Sequence, residues 1–522
     1  MLLTVLRMAS THKRILRLSH YGKEVTKSSD IVSMHNKSKD QDNNLRLSRG
    51  AHTLATGIEG LDAILSGGLP AHHLYLIQGL AGSGKTTLAC QIGFGHAKQQ
   101  RKKVLILTLI AESHAKLLQH LENFSFFDAS LLSKEIVFFS GYSAIIEGGL
   151  RELLNFITTS LNDQRPDILI IDGFRSVRES CNSELSLSEF MHSLNTLIST
   201  MGCTTFLLSP VEGNFPESEN TLVDGLIELS QSHEGTRTIR ELQVLKVRGS
   251  DHLLGKHAFE VKKDGITVYP RLEALSARTN SPAPSSEKLV SFGIPSWDSL
   301  INGGVMEGST TNLLGTPGTG KTIMGLHFLY EGLRRKEKCL MLGFYESPAR
   351  LVQKARRVGM DLAPYLEDGS LEIIWRLPTE VMMDELALRL LKNIDSRGVT
   401  RLLMDGTDGF RHIAMHRERI ESFLIALVNE LRIRCVTTFF TQELPYFRES
   451  IMRADATQSI LYENMVLLNF EQIDGVNYRQ IAVVKMRDND YDPSVQLMSI
   501  SDRGISIDGP ISRLQAQAAK SS

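Results

Sequence analysis

Short apolar runs alternate along most of the chain with longer segments whose apolar residues recur at helical spacing. The run LYLIQ at residues 74–78 leads directly into a glycine-rich stretch, after which TTLACQIGFGHAKQQ has the pattern of a helix. Buried parallel strands give short apolar runs, and their crossover helices fill the intervals. The alternation therefore predicts an α/β fold with mainly parallel sheets and helices on both faces.

The same pattern occurs twice. GIEGLDAILSGGLP at residues 57–70 is echoed by GIPSWDSLINGGVM at 293–306, and DILIIDG at 167–173 is echoed by RLLMDG at 401–406. Three matched positions keep the same separation of 236 residues: Gly57 and Gly293, Gly79 and Gly315, and Lys85 and Lys321. Two stretches that arose independently would not keep that spacing, so we predict a tandem duplication of one unit.

The duplication sets the expected domain organisation. We expect a first domain over residues 51–276, a Ser- and Pro-rich linker over 277–288, a second domain over 289–508 and a tail over 509–522. Residues 1–50 carry ten Lys and Arg against four Asp and Glu, a net charge of +6. Their polar, aperiodic second half predicts a disordered extension. Their basic and partly apolar start is also compatible with a transit peptide or a surface-binding helix.

Composition narrows the function classes. Hydrophobic residues make up 42% and charged residues 22%, and the formal net charge of −1 provides no global positive field for nucleic acid. The five cysteines show no CxxC spacing, so neither a disulfide framework nor a zinc site is indicated, and we expect a reducing cytoplasm. No uninterrupted apolar run approaches the roughly 20 residues that cross a bilayer, so we expect no membrane span.

The glycine-rich stretches carry the most specific chemistry. GLAGSGKTT at 79–87 and GTPGTGKTI at 315–323 both have the GxxxxGK[ST] spacing of a loop that cradles phosphates at a helix N-terminus. The lysine would reach the β- and γ-phosphates of a nucleotide, and the first threonine hydroxyl would bind Mg²⁺. The predicted ATP-binding residues are Gly79, Gly82, Ser83, Gly84, Lys85, Thr86 and Thr87 in the first copy, and Gly315, Gly318, Thr319, Gly320, Lys321 and Thr322 in the second.

An aspartate at the end of a later strand completes the expected magnesium site in each copy. Asp172 and Asp405 both end apolar runs and precede a glycine. Open α/β sheets bind ligands at the carboxyl edge of their strands, so an aspartate there can hold the water shell of the metal. We therefore predict magnesium sites at Thr86 with Asp172 and at Thr322 with Asp405.

Hydrolysis also needs a group that orients and deprotonates water. Glu112 and Glu346 follow the second strand of each copy and are the candidates. Each could instead be an acid at the start of a helix, because a serine and a helical pattern follow each glutamate. Ser209 and Thr441, which follow later apolar runs, are candidate sensors of the γ-phosphate.

With these motifs, the chain resembles the KaiC family, RecA-like ATPases best known from the cyanobacterial circadian clock. The resemblance covers residues from about 51 to 508 and rests on the GIxxxDxxxxGG openings, both loops, both aspartates and the KxRG-like tails. It implies two tandem RecA-like P-loop NTPase domains that assemble as a homo-hexamer with nucleotide between neighbours. It also implies that tail cations reach the adjacent subunit's γ-phosphate. These are Lys246 and Arg248 for a first-domain site, and Lys485 and Arg487 for a second-domain site.

Two departures from the clock members shape the expected function. Clock members have two adjacent glutamates after the second strand, whereas each copy here keeps one, Glu112 or Glu346. The stretch that matches the phosphorylated pair of the clock's second domain offers Ser459 followed by Ile460. We therefore expect a hexameric ATPase that regulates an unidentified protein partner, or else a serine/threonine autokinase that acts on Ser459.

Two further functions are a DNA motor and a protein that binds ATP without hydrolysing it. A RecA-like DNA motor would need basic or aromatic loops near the ring axis, but residues 176–190 are acid-rich and residues 409–423 are mixed. The chain could also bind ATP as a structural ligand without hydrolysing it. If both domains hydrolyse ATP, Asp488 beside Arg487 and the bulky Tyr345 beside Glu346 predict slower turnover in the second domain.

Overall fold

The computed structural model describes residues 53–521, with gaps at residues 110–113, 182, 212–217, 235, 279–283, 285, 380 and 445–460. The basic segment at residues 1–50 therefore lies outside the described residues, as do Glu112, Ser459 and part of the expected linker. Within the described ranges, no helix is both long enough and apolar enough to cross a membrane.

The first domain is an α/β unit built on one large sheet. Its strands are β1 (Thr53–Leu54), β2 (Leu69–Pro70), β3 (Leu74–Gly79), β4 (Val104–Thr108), β5 (Ile136–Ser140), β6 (Ile168–Asp172), β7 (Thr204–Ser209), β8 (Gly225–Glu234), β9 (Arg237–Val247), β10 (Lys256–Lys262) and β11 (Gly265–Tyr269). Its helices are α1 (Glu59–Ile64), α2 (Lys85–Gln100), α3 (His114–Leu121), α4 (Tyr142–Gln164), α5 (Arg175–Glu179), α6 (Glu184–Met201), α7 (Ser218–Leu222) and α8 (Leu272–Ser276), with a 3₁₀ turn at Ala129–Leu131. The sheet has nine strands in the order β11-β10-β9-β8-β3-β7-β6-β4-β5.

The second domain repeats this arrangement. Its strands are β12 (Leu289–Val290), β13 (Val305–Met306), β14 (Thr310–Gly315), β15 (Cys339–Gly343), β16 (Leu371–Trp375), β17 (Arg401–Asp405), β18 (Thr437–Glu443), β19 (Asn464–Ile473), β20 (Val476–Lys485), β21 (Gln496–Ser501) and β22 (Gly504–Pro510). Its helices are α9 (Pro295–Leu300), α10 (Lys321–Arg334), α11 (Pro348–Arg356), α12 (Ala363–Glu367), α13 (Met383–Arg397), α14 (Gly409–Ile413), α15 (Ile420–Ile433) and α16 (Ser512–Ser521), with a 3₁₀ turn at Arg417–Arg419. Its nine-stranded sheet has the order β16-β15-β17-β18-β14-β19-β20-β21-β22.

The central strands are buried on both faces because helices cover both sides of each sheet. Successive residues of a strand point to opposite faces. In β3, Tyr75 and Ile77 pack into the core that contains residues of α2, whereas Leu74 and Leu76 pack into the core that contains residues of α4 and α6. This packing explains the continuous apolar runs in the sequence and confirms the predicted α/β fold.

The carboxyl ends of the parallel strands meet at one edge of each sheet. In the first domain, Asp172 at the end of β6 lies between Thr108 of β4 and Leu208 of β7 in the strand register. In the second domain, Asp405 lies between Gly343 of β15 and Thr441 of β18. The glycine-rich loops follow β3 and β14 at the same edge, so the topology brings loop and aspartate together in both domains.

Three antiparallel strands extend each sheet beyond its parallel part. In the first domain, β8 is parallel to β3, and β9, β10 and β11 then follow as antiparallel neighbours. In the second domain, β19 is parallel to β14, and β20, β21 and β22 follow in the same way. Because β9 and β20 run opposite to the parallel strands, their carboxyl ends lie at the edge opposite the loops.

Candidate ATP-binding and hydrolysis sites

The first glycine-rich loop joins β3 to α2, which begins at Lys85. Gly82 and Gly84 have φ angles of 76° and 102°, in the left-handed region that favours glycine. The Lys85 ammonium donates to the carbonyl oxygens of Gly79 and Leu80 at 2.8 and 2.9 Å, so it lies over its own loop. Among the described residues, the buried Ser83 hydroxyl has no hydrogen-bond partner, which fits a loop shaped to contact a further polar group.

The second loop has the same geometry. Gly318 and Gly320 have φ angles of 81° and 108°, and α10 begins at Lys321. The Lys321 ammonium donates to the carbonyl oxygens of Gly315 and Thr316 at 2.8 and 3.0 Å. Burial lowers the pKa of Lys321, as it lowers that of Lys85, so both ammonium groups lie in surroundings that would favour a bound anion.

The predicted magnesium residues are in direct contact in both domains. The Thr86 hydroxyl donates to an Asp172 carboxylate oxygen at 2.8 Å, and the Thr322 hydroxyl lies 3.0 and 3.2 Å from the two carboxylate oxygens of Asp405. Burial raises the pKa of Asp405, because the surroundings disfavour its charged form. A hydroxyl and a carboxylate are oxygen ligands of the kind Mg²⁺ prefers, so the residues present fit this ion.

The second-domain glutamate lies close enough to the aspartate to affect its titration. The negative charge of Glu346 contributes to the raised pKa of Asp405, after burial and two opposing hydrogen bonds. Glu346 also forms a hydrogen-bonded ion pair with Lys354 of α11. Its counterpart, Glu112, lies outside the described residues, and the catalytic role of both glutamates stays a prediction.

The two candidate phosphate sensors differ. The Thr441 hydroxyl donates to Asp405 at 2.6 Å and accepts from the Gly406 backbone N–H at 2.8 Å, which joins the end of β18 to the aspartate. The Ser209 hydroxyl instead donates to the carbonyl oxygen of Pro210 at 3.3 Å. The second domain therefore contains a Thr441–Asp405–Thr322 network in which both hydroxyls contact the carboxylate.

The first-domain tail cations lie far from the loop of their own chain. Lys246 lies opposite Leu226 in β8, and Leu226 lies beside Leu76 in β3, three residues before Gly79. At about 3.3 Å per residue, Lys246 is therefore set back from the loop by about 10 Å along the strand direction. Its ammonium donates to three carbonyl oxygens at and after the end of α7, those of Asn220, Thr221 and Val223. Arg248 is exposed and lies 3.4 Å from Asp224.

The second domain repeats this separation. Lys485 lies opposite Met465 in β19, which lies beside Asn312 in β14, again three residues before the loop. Its ammonium donates to the carbonyl oxygen of Tyr462 at 2.8 Å, and Arg487 is exposed. The structure thus brings loop, threonine and aspartate together within one chain, and leaves the tail cations at the opposite edge.

Several residues of the first site were not identified from the sequence. A cavity of about 550 Å³ is lined by the glycine loop, Lys85, Thr86 and Asp172. It is also lined by residues of α3, β9 and their surroundings: His114, Lys116, His120, Phe124 and Arg240. Four of these five carry cationic or titratable nitrogen atoms, and His114 stands two residues after the predicted Glu112. That proximity in sequence was the available signal.

Comparison with known proteins follows the same division of the chain. A family model described as "ATPase: KaiC" matches residues 54–273 and, a second time, residues 290–511. The chain belongs to the KaiC family of ATPases. Its two units are tandem RecA-like ATPase domains, and the chain is an ATP-hydrolysing enzyme of this family.

Similar curated proteins cover nearly the whole chain. The circadian clock oscillator protein KaiC of Picosynechococcus sp. is 25% identical over 471 residues, which are 88% of this chain and 90% of that protein. The protein of the same name from Rippkaea orientalis is 25% identical over 484 residues, 90% of this chain and 91% of that protein. That of Synechococcus elongatus is 25% identical over 463 residues, 86% and 88% of the two chains.

Proposed function

We propose that this KaiC-family chain binds ATP with Mg²⁺ in each domain and assembles as a homo-hexamer with its sites between neighbouring subunits. One observation supports this proposal most directly: in both domains the tail cations lie at the sheet edge opposite the phosphate loop. A subunit with loop and cations on opposite edges offers half of a site to each of two neighbours. Such a head-to-tail contact closes into a ring when the rotation between subunits permits it.

Within each site, the chain's own groups divide the work. The loop N–H groups and Lys85 or Lys321 bind the phosphates, and the lysine exchanges its loop carbonyl partners for phosphate oxygens. Thr86 with Asp172, and Thr322 with Asp405, would hold Mg²⁺, which when bound neutralises phosphate charge. Glu112 and Glu346 would orient the attacking water and accept its proton.

The tail cations complete the site of a neighbour. Lys246 with Arg248, and Lys485 with Arg487, would extend across the subunit contact to the terminal phosphate. A cation supplied in this way stabilises the charge that develops during phosphoryl transfer. Arg248 and Arg487 are both exposed, which supports this role. An exposed arginine can contact a neighbouring subunit, and it loses its surrounding water when that subunit docks.

The assembly would act as a regulatory switch on a protein partner in the cytoplasm. The five cysteines show no CxxC spacing, which supports a reducing compartment. We propose the domain limits 51–276 and 289–508, joined by residues 277–288, with the extension at 1–50 and the tail at 509–522 outside the two ATPase domains.

The first experiment is mass determination with and without ATP on the full chain and on Lys85→Ala and Lys321→Ala. Each single change should halve the number of ATP molecules bound per chain, because the loops belong to separate domains. Lys98→Ala, in the last turn of α2 and exposed, is the matched control. An ATP-independent monomer, or one change that empties both sites, contradicts the proposal.

The same preparations distinguish the regulatory ATPase from the other candidate activities. Phosphate release from the assembled form measures the rate of ATP hydrolysis. Radiolabelled γ-phosphate incorporated at Ser459, and lost in Ser459→Ala, would establish the autokinase. Salt-dependent binding of single-stranded DNA would establish the DNA motor.

A further inference from the structure

His114 is held in a fixed position at the first ATPase site. It is the first residue of α3, and its Nε2 atom lies 2.8 Å from the hydroxyl oxygen of Thr108, the last residue of β4. Its ring packs against the ring of Phe138 in β5, with 5.7 Å between the ring centres. A buried hydroxyl on one side and an aromatic ring on another therefore restrict the imidazole.

The same ring borders the space where the phosphates of a nucleotide would lie. His114 lines the 550 Å³ cavity together with Lys85, Thr86 and Asp172. Thr108, which holds the ring, is the direct neighbour of Asp172 in the sheet register. Among the described residues, the charged groups of the cavity lining are Lys85, Lys116, Arg240 and Asp172, so three cations face one carboxylate. This balance suits a polyanion.

The second domain has no equivalent of this arrangement among its described residues. Aligning the two glutamates places Pro348 where the first domain has His114, and aligning β4 with β15 places Gly343 where it has Thr108. Proline and glycine have no side-chain hydrogen-bonding groups. The His114–Thr108 pair is therefore found in the first domain alone among the described residues, and the shared fold does not require it.

We propose that His114 is a further active-site residue of the first domain, which donates a hydrogen bond to the terminal phosphate of ATP. When the Thr108 hydroxyl donates to Nε2, the neutral ring carries its proton on Nδ1 and presents an N–H donor. This inference rests on the proposed ATP site at Lys85. It differs from the proposed role of Lys85, which also contacts the β-phosphate, and from that of Arg248, which a neighbouring subunit supplies.

The test uses the full chain with Lys321→Ala, so that the first site alone binds nucleotide. ATP and ADP affinities and phosphate release are measured for this parent and for its His114→Ala and His114→Asn forms. The alanine form should lose about tenfold in ATP affinity relative to ADP, and at least as much in turnover, since a charge-assisted hydrogen bond is lost. Asparagine places an amide N–H near the position of Nδ1 and should restore a large part of both.

The matched control is His73→Gln, which changes a half-buried histidine at the opposite end of β3 and should leave both nucleotide affinities unchanged. An alanine form with the parent's ATP-to-ADP ratio overturns the proposal. An equal loss of affinity for ATP and ADP also overturns the proposal, because His114 would then stabilise the fold of the site and would not bind the terminal phosphate. A parent that binds no nucleotide at all would instead contradict the proposed site at Lys85.

Discussion

At the scale of single residues, the two glutamates stand in different surroundings. Glu346 is paired with Lys354, eight residues later on α11, and a paired carboxylate must leave its partner to accept a proton from water. In the first domain the residue eight positions after Glu112 is His120, which lines the cavity. The lysine partner adds a third reason, besides Asp488 and Tyr345, to expect slower hydrolysis in the second domain.

We predict that Glu112→Gln removes most steady-state phosphate release, whereas Glu346→Gln removes little of it. Loss of a general base slows the chemical step by about 100-fold or more, so the site that turns over faster dominates the measurement. The test is to measure the rate of phosphate release by both variants at saturating ATP and to verify their assembly by mass determination. If Glu346→Gln abolishes turnover and Glu112→Gln leaves it intact, the assignment of the faster site is reversed.

At the scale of elements, the strand–loop–helix unit was predictable and its neighbours were not. LYLIQ, the glycine spacing and the following helical pattern are local signals, and they correspond to β3, the loop and α2. The contact of Thr86 with Asp172 could be anticipated because both lie at the carboxyl edge of a parallel sheet. By contrast, the order of the strands and the antiparallel extension depend on pairing between distant segments.

The same limit applies within the site. The His114–Thr108 contact needs the end of β4 and the start of α3 to turn toward each other, and no spacing rule specifies that turn. The Glu346–Lys354 pair depends on how α11 leaves the loop. Sequence identified the residues whose chemistry is fixed by a motif, and missed those whose roles depend on a side-chain contact.

The next prediction concerns Arg248, which directly follows the antiparallel strand β9. If Arg248 acts on a neighbour's site, mixing Arg248→Ala subunits with Lys85→Ala subunits should restore part of the hydrolysis that each lacks, both in a Lys321→Ala background. Some mixed contacts then combine an intact loop with an intact arginine. Phosphate release is followed over a range of mixing ratios, with mixed assemblies verified by mass. No recovery at any ratio counts against action between subunits.

At the scale of the whole molecule, a partly buried charged cluster joins the two ATPase domains. Arg419 donates to Glu273 of α8 at 2.7 and 3.0 Å and to Asp384 of α13 at 3.0 and 3.1 Å. Asp384 also accepts from the backbone N–H of Leu272, whose side chain packs in the second-domain core. The end of the first domain is thus attached to the second by both charge and apolar packing.

We predict that Arg419→Met destabilises the chain by about 3 kcal/mol or more, because the buried Asp384 would lose its cation and the partly buried Glu273 would keep only the more distant Arg271. Arg417→Met, an exposed position in the same 3₁₀ turn, should change stability by less than about 0.5 kcal/mol. Urea unfolding of both variants at neutral pH provides the comparison. Similar midpoints for the two variants would mean that the cluster contributes no net stability.

Acid should weaken the same region through His257. This residue of β10 is fully buried, its Nδ1 atom accepts from the backbone N–H of Arg271 at 3.0 Å, and burial lowers its pKa to about 4. In the unfolded chain a histidine has a pKa of about 6.5. Between these values the unfolded chain binds more protons, so the stability present above pH 6.5 is lost as the pH falls toward 4.

The full shift corresponds to a loss of about 3 kcal/mol. We predict that His257→Asn, which keeps an acceptor for the Arg271 N–H but does not titrate, reduces the fall in thermal midpoint between pH 7 and pH 4.5. Part of the fall should persist, because burial also lowers the pKa of His327 in the second domain to about 4. His233→Asn, at an exposed position of β8, should keep the full acid dependence. If the His257 and His233 variants lose stability in acid to the same extent, the proton uptake occurs elsewhere in the chain.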